Sequence, residues 1–188
     1  MNIALFGGAF DPPHEGHHLV ATTILKEHKV DEVWFLPARE HPFLKPLSSG
    51  KDRVAMLELI LSPGLKIETF ELETDGISYT YKTLVALQEK YPDHNFSFVI
   101  GSDNLKSFDK WDEYEELVRE FPFFVYPRPG FPMEPLFPNM TALSDETMVT
   151  ASSTEVRERL ARGESISELV EPVVEDYIRR QALYVGTC

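Results

Sequence analysis

The residues best able to do chemistry lie near the start of the chain, in Gly7-Gly8-Ala9-Phe10-Asp11-Pro12-Pro13-His14-Glu15-Gly16-His17. His14 and His17 put two imidazoles on the first turn of a helix. An imidazole can donate to a phosphate oxygen and can charge as negative charge builds beside it. Gly7 and Gly8 let the backbone come close to a ligand. Ile3 to Phe6 read as a short apolar strand that the glycines end, and Asp11, Pro12 and Pro13 form a turn. The helix then begins near Gly16, with Leu19, Val20, Ile24 and Leu25 at helical spacing. A strand, a glycine turn and a helix N-terminus make an anion site in outline, because free N–H groups and the positive end of the helix dipole converge there. The turn has neither the Gly-Lys-Ser/Thr ending of a P-loop nor the Gly-x-Gly-x-x-Gly of dinucleotide sites.

The elements that must position this site alternate along the chain. Glu32 to Leu36 reads as a buried strand, 39–51 as a surface loop, and Asp52 to Leu61 as a helix stopped by Ser62-Pro63-Gly64. A strand is expected over 65–72, a helix from Ser78 or Tyr79 to Lys90, and a strand over 95–100 ending in Gly101. Trp111 to Glu120 reads as a helix with Asp112 and Glu115 as a capping box. A strand over 121–126, a proline-rich loop over 127–137 and a short strand over 140–143 follow. Ser152-Ser153-Thr154-Glu155 forms a second capping box before a helix that Gly163 ends. Ser165 and Glu168 form a third, before a last helical stretch interrupted at Pro172. Strands alternating with helices predict parallel β-α-β units with helices on both faces of one sheet.

Size and composition narrow the functional classes. A chain of 188 residues accommodates a single domain, 1–188, with a small helical part at about 152–188. Hydrophobic residues make up 43%, enough for a real core. No apolar run approaches the ~18 residues that span a bilayer, so no membrane partner is expected. No signal peptide is expected either, and the single Cys188 excludes an internal disulfide. These features point to a cytoplasmic protein. The net charge of −13 disfavours nucleic acid as a partner, since polyphosphate backbones need basic surfaces. A small nucleotide needs only a few local cations. A homo-oligomeric state is left open.

At this point a resemblance is plain. Gly7-Gly8-Ala9-Phe10-Asp11-Pro12 with His14-Glu15-Gly16-His17 looks like the nucleotidyltransferase superfamily that carries a His-x-Gly-His motif. Its second motif, Ser-Ser-Thr-x-x-Arg, is matched by Ser152-Ser153-Thr154-Glu155-Val156-Arg157. Between them lie 76–84, 98–103, 108–111 and Arg128-Pro129-Gly130. Together these segments resemble the bacterial nicotinate-nucleotide adenylyltransferases over nearly the whole chain. The resemblance implies an α/β, Rossmann-like, doubly wound parallel sheet with a small C-terminal helical subdomain. It implies an enzyme that joins ATP and nicotinate mononucleotide into deamido-NAD with release of pyrophosphate. Nicotinamide mononucleotide is the alternative substrate, phosphopantetheine a more distant one, and a non-catalytic nucleotide-binding module on the same fold the rival reading.

By the same resemblance His14, His17 and Arg157 are catalytic. Gly7, Gly8, Ala9, Phe10, Lys45, Ser153 and Thr154 bind ATP, with Lys45 and Arg53 closing over the triphosphate. Arg53, Tyr79, Thr80, Gly101, Asp103, Trp111 and Arg128 form the pyridine-nucleotide set. Mg²⁺ is bound mainly through ATP phosphates, and no protein metal ligand is assigned. Where the family often has Tyr after the tryptophan, this chain has Asp112. A carboxylate aimed into the pocket favours the amide substrate, whereas one turned back to cap its own helix leaves the acid allowed.

Overall fold

A computed structural model describes residues 1–27, 30–39, 47–74, 78–144 and 148–185. Strand β1 (Asn2–Gly8) is the centre of a six-stranded, all-parallel sheet in the order β3-β2-β1-β4-β5-β6. The other strands are β2 (Glu32–Pro37), β3 (Leu65–Ile67), β4 (Asn95–Gly101), β5 (Phe123–Tyr126) and β6 (Met140–Ala142). Ile3, Ala4, Leu5 and Phe6 are all buried, as a strand covered on both faces requires. Their alternation divides them: Ala4 and Phe6 enter one apolar cluster, Ile3 and Leu5 the other.

The first cluster is closed by helices α1 (Glu15–Lys26), α2 (Gly50–Glu58), α6 (Ser153–Ala161) and α7 (Pro172–Arg180), through Val20, Met56, Val156 and Ile178 among others. The second is closed by α4 (Thr80–Lys90) and α5 (Tyr114–Glu120), through Leu84 and Leu117. A short helical turn, α3 (Phe70–Glu73), precedes α4. The C-terminal helices share the cluster that contains β1, so α6 and α7 rest directly on the sheet. The doubly wound parallel architecture expected from the sequence is present.

Several boundaries differ from the expected ones, each for a local reason. The strand expected over 65–72 stops at Ile67. There Glu68 turns inward and accepts from Lys90, Tyr91 and the Phe70 N–H, and the chain closes into α3. Helix α2 begins two residues before Asp52, because the Ser49 hydroxyl accepts from the Asp52 N–H at 3.1 Å. The helix expected from Trp111 starts at Tyr114. Ser102–Lys110 is a 3₁₀ run, and Glu113 sits in the left-handed region at φ 53°. The Asp112–Glu115 box is therefore absent. So is the box at Ser165, whose hydroxyl meets that of Ser167, while Glu168 pairs with Arg159 at 2.5 Å. Pro172 opens α7 rather than interrupting a helix. In the 127–137 loop, Met133, Leu136 and Phe137 fold back onto the second cluster.

Phe35 in β2 is fully buried, with its ring 5.9 Å from Phe6 and 5.4 Å from Phe10. Replacing it leaves a cavity under the glycine turn. Phe35→Ala is expected to lower the unfolding free energy by about 3–5 kcal/mol, read as a lower urea midpoint at unchanged slope.

Candidate active site

The strand order reverses between β1 and β4, and in open α/β sheets ligands bind in the crevice beyond the C-terminal ends of the strands at such a reversal. Gly7 and Gly8 close β1 there and Gly101 closes β4. A Cβ on Gly101 would lie 2.3 Å from the Asp103 carboxylate and 3.0 Å from the Arg128 side chain, so a side chain there would displace both. Arg128 donates its backbone N–H to the Ser102 hydroxyl at 3.0 Å. Its guanidinium reaches the carbonyls of Val149 and Ala151 at 3.4 and 3.3 Å and lies 4.0 Å from Asp103.

His14 is the N-cap of α1 in extended conformation, and His17 stands three residues on. Their rings stack at 3.7 Å with 25° between planes. The His14 N–H donates to His17 Nδ1 at 3.1 Å, the return half of a capping box with imidazole in the place of Glu or Gln. The proton of neutral His17 is thereby left on Nε2, where it can be donated outward. Gly16 makes the stack possible, since a Cβ there would lie 2.3 Å from Val149 and 3.0 Å from His14 Nδ1. His14 is 6% exposed and its Nδ1 has no partner. Burial, with Arg128 nearby, holds His14 down to about 4. Burial, then His14, then Arg128 hold His17 well below the usual range. Two neutral rings can stack this closely without like-charge repulsion. Arg128, expected among the pyridine-binding residues, is the cation whose field acts on both histidines.

The second motif folds against the first. Ser152 caps α6, its hydroxyl accepting from the Glu155 N–H at 3.2 Å. Ser153 donates to the carbonyl of Pro12 at 2.8 Å. Arg157 donates to the carbonyl of Asp11 at 2.5 Å and to the Thr154 hydroxyl at 3.2 Å. The N-termini of α1 and α6 are thus joined through the turn between β1 and α1, although the Glu15 and His17 N–H groups of α1 are already donated to the carbonyls of Leu169 and His14.

Other expected site residues have different surroundings. Phe10 is buried at 1% exposure, its ring 4.8 Å from His17 and edge-on to Phe6 and Phe35, so its side chain supports the histidines from below. Ala9 offers its carbonyl to Arg53 at 2.7 Å. Arg53 does not face the crevice. It is 1% exposed and also donates to the Ser48 carbonyl at 3.1 Å. Lys45 lies outside the described residues.

Tyr79 is the extended N-cap of α4 and Thr80 its first residue. The Trp111 ring lies 4.9 Å from Phe108. Asp112 neither caps a helix nor stands alone. Lys82 lies 3.7 Å from it and 4.5 Å over the Tyr79 ring. Lys82 escaped sequence reasoning, although its position one turn after Tyr79 was a usable signal. Asp11, read only as a turn residue, is 3% exposed and accepts from the Tyr184 hydroxyl and the Ser48 N–H. Among the described residues, no group of three His, Cys, Asp or Glu side chains could hold a metal ion, and no helix is long and apolar enough to cross a membrane.

The sequence profile of the cytidylyltransferase-like family matches residues 5–159. The nicotinate-nucleotide adenylyltransferase of Bacillus subtilis is 36% identical over 186 residues, covering 97% of both chains. The nicotinic acid mononucleotide adenylyltransferase of Plasmodium falciparum complexed with NaAD superposes with a TM-score of 0.84 at 28% identity, over 97% of each chain. The same Plasmodium enzyme complexed with APC gives a TM-score of 0.82 at 28% identity, over 97% of this chain and 96% of that one.

The histidine geometry has a consequence for pH. The unfolded chain binds a proton on His14 below its ordinary 6.5, whereas the folded protein does so only near about 4. The contribution to stability is therefore complete above 6.5 and is lost as the pH falls through that window, by about 3 kcal/mol at most. His14→Ala is expected to lose less stability than the parent protein between those limits, measured by thermal unfolding. An NMR midpoint for His14 near 6.5 would refute the burial argument.

Proposed function

The chain belongs to the cytidylyltransferase-like family and, within it, to the nicotinate-nucleotide adenylyltransferases, and we propose that His14, His17, Arg128 and Arg157 carry its reaction. It is a nucleotidyltransferase of NAD biosynthesis that joins ATP to nicotinate mononucleotide, giving deamido-NAD and pyrophosphate. One observation carries the residue assignment: Arg157 and Ser153 dock on the carbonyls of Asp11 and Pro12, directly before the stacked histidines.

An oxygen of the mononucleotide 5′-phosphate bonds to the α-phosphorus of ATP, and the bond from that phosphorus to the α,β-bridging oxygen breaks. The nucleophile is already anionic, so no general base is needed. What remains is positioning and charge stabilisation. His17 Nε2–H and the His14 ring donate toward phosphate oxygens as charge moves to the bridge. The Ser153 and Thr154 N–H groups at the mouth of α6, with Gly7 to Phe10 as backbone floor, hold the triphosphate tail. Lys45 closes over it. Arg157 and Arg128 supply positive charge on either side of the histidines. A divalent ion, Mg²⁺ in this reading, would supply charge neutralisation at the phosphates; Asp11, engaged by Tyr184 and Ser48, would not hold it, so its ligands would come mainly from ATP.

The start of α4 at Tyr79 and Thr80, the Trp111 indole, and Gly101 with Asp103 take the pyridine ring and its ribose. Because Asp112 is charge-paired with Lys82, a nicotinate carboxylate meets a neutralised pair rather than a lone negative charge. That favours the acid over the amide. A net charge of −13 supports small nucleotides over polymers, and a cytoplasmic location fits such substrates.

Pyrophosphate release from ATP should be much faster with nicotinate mononucleotide than with nicotinamide mononucleotide; equal or better efficiency with the amide would overturn the acid assignment. His17→Ala should lower kcat by about 10²–10³-fold with only a modest loss of ATP affinity. An unchanged rate would remove the imidazoles from the mechanism and favour a binding module.

A further inference from the structure

The turn that carries His14 is held from outside the two motifs. Asp11, three residues before His14, is 3% exposed, and each of its acceptor oxygens has a partner from a different part of the chain. Oδ1 accepts from the Tyr184 hydroxyl at 2.6 Å, and Oδ2 from the Ser48 N–H at 3.2 Å. The main-chain oxygen accepts from Arg157 at 2.5 Å. Arg53, buried beneath, holds Ala9 and Ser48 together through their carbonyls and feels the charge of Asp11. Tyr184 follows α7 on an irregular turn, with Ala182 and Tyr184 itself at positive φ, 50° and 62°. Its ring packs on the apolar cluster that contains Phe6 and Phe10.

We infer that Tyr184 is a positioning residue for adenylyl transfer: its hydroxyl fixes the Asp11 carboxylate, and through it the turn that sets His14 against the α6 N-terminus. The inference rests on the assignment of His14 to the reaction made above. The phenol suits the task. Burial, then the Asp11 charge, pushes its pKa well above the usual tyrosine range, so it remains a donor at any working pH. Asp11 is almost wholly covered, so bulk water does not replace the lost donor at Oδ1. A carboxylate that lost this bond would turn toward Arg53 or outward, and the backbone from Phe10 to Pro13 would turn with it. Positioning errors of that kind reduce rate more than binding.

The test compares the parent chain with Tyr184→Phe, which keeps the ring packing and removes only the hydroxyl. Expected are a thermal midpoint within a few degrees of the parent, KM for ATP and nicotinate mononucleotide within about two-fold, and kcat lower by about ten-fold. Asp11→Asn, which retains an acceptor oxygen, should show the same split between kcat and KM. The double variant should lose little more than either single one, as groups acting through one another do. The His14 ring signal in NMR should move in Tyr184→Phe while that of remote His94 does not. An unchanged kcat in Tyr184→Phe, or additive losses in the double variant, would reduce the hydroxyl to an anchor for the chain end. Should Tyr184→Phe not fold, Asp11→Asn decides by the same split. A parent without pyrophosphate release would instead overturn the reaction, which the histidine signals distinguish from failure of the positioning role.

Discussion

The bond from the Arg157 guanidinium to the carbonyl oxygen of Asp11, at 2.5 Å, is the contact on which the rest of the site depends. It joins residues 146 apart in the chain and brings one helix N-terminus to another. It is charge-assisted and half-buried, which places it among the stronger hydrogen bonds a protein makes. The turn that accepts it leaves β1, the strand with parallel neighbours on both sides and apolar clusters above and below. A phosphate site assembled there inherits the stiffness of the sheet. On a loop tip, the same residues would be mobile.

Charge is used sparingly. The protein as a whole repels a nucleoside triphosphate, with a net charge of −13. In the proposed site attraction is local and comes from Arg128, Arg157 and oriented N–H groups. The imidazoles add little positive charge of their own, since burial keeps them neutral. In the proposed reaction their hydrogen bonds strengthen only as charge accumulates on the bridging oxygen. An interaction weak toward the ground state and strong toward the transition state raises kcat, whereas a permanent cation pair would hold substrate and pyrophosphate alike.

What was legible in the sequence was local. The apolar run of β1, the glycine pair, the turn and the helical spacing of Leu19, Val20 and Ile24 are patterns of neighbouring residues, and they specify a strand, a turn and a helix start without tertiary information. The Ser152 cap was legible for the same reason. The Ser165 and Asp112 boxes had equally good patterns and did not form: Glu168 pairs with Arg159, and Glu113 takes the left-handed conformation so that α5 starts only at Tyr114. Arg53 shows the limit most clearly. Nothing near it in sequence announces that a guanidinium will be buried, as its partners at Ala9 and its field from Asp11 come from the opposite end of a β-α unit. The residues proposed for the chemistry could be read directly, and residues that hold them in place could not.

That division has an energetic counterpart at Phe10. A non-glycine residue at φ 51° carries backbone strain of about 1–3 kcal/mol. Its ring is 1% exposed and wedged edge-on among Phe6, Phe35 and His17. Burying a phenylalanine stabilises by about 1.5–3 kcal/mol, so packing and strain are of the same size and neither dominates alone. The turn keeps its shape because Arg53, Ser153, Arg157 and Tyr184 add hydrogen bonds along Ala9 to Pro12. Each is worth about 1 kcal/mol, and together they exceed the strain. Loss of any one leaves the fold standing and brings the turn closer to relaxing. The histidines, immediately downstream, are the first groups to move when it does.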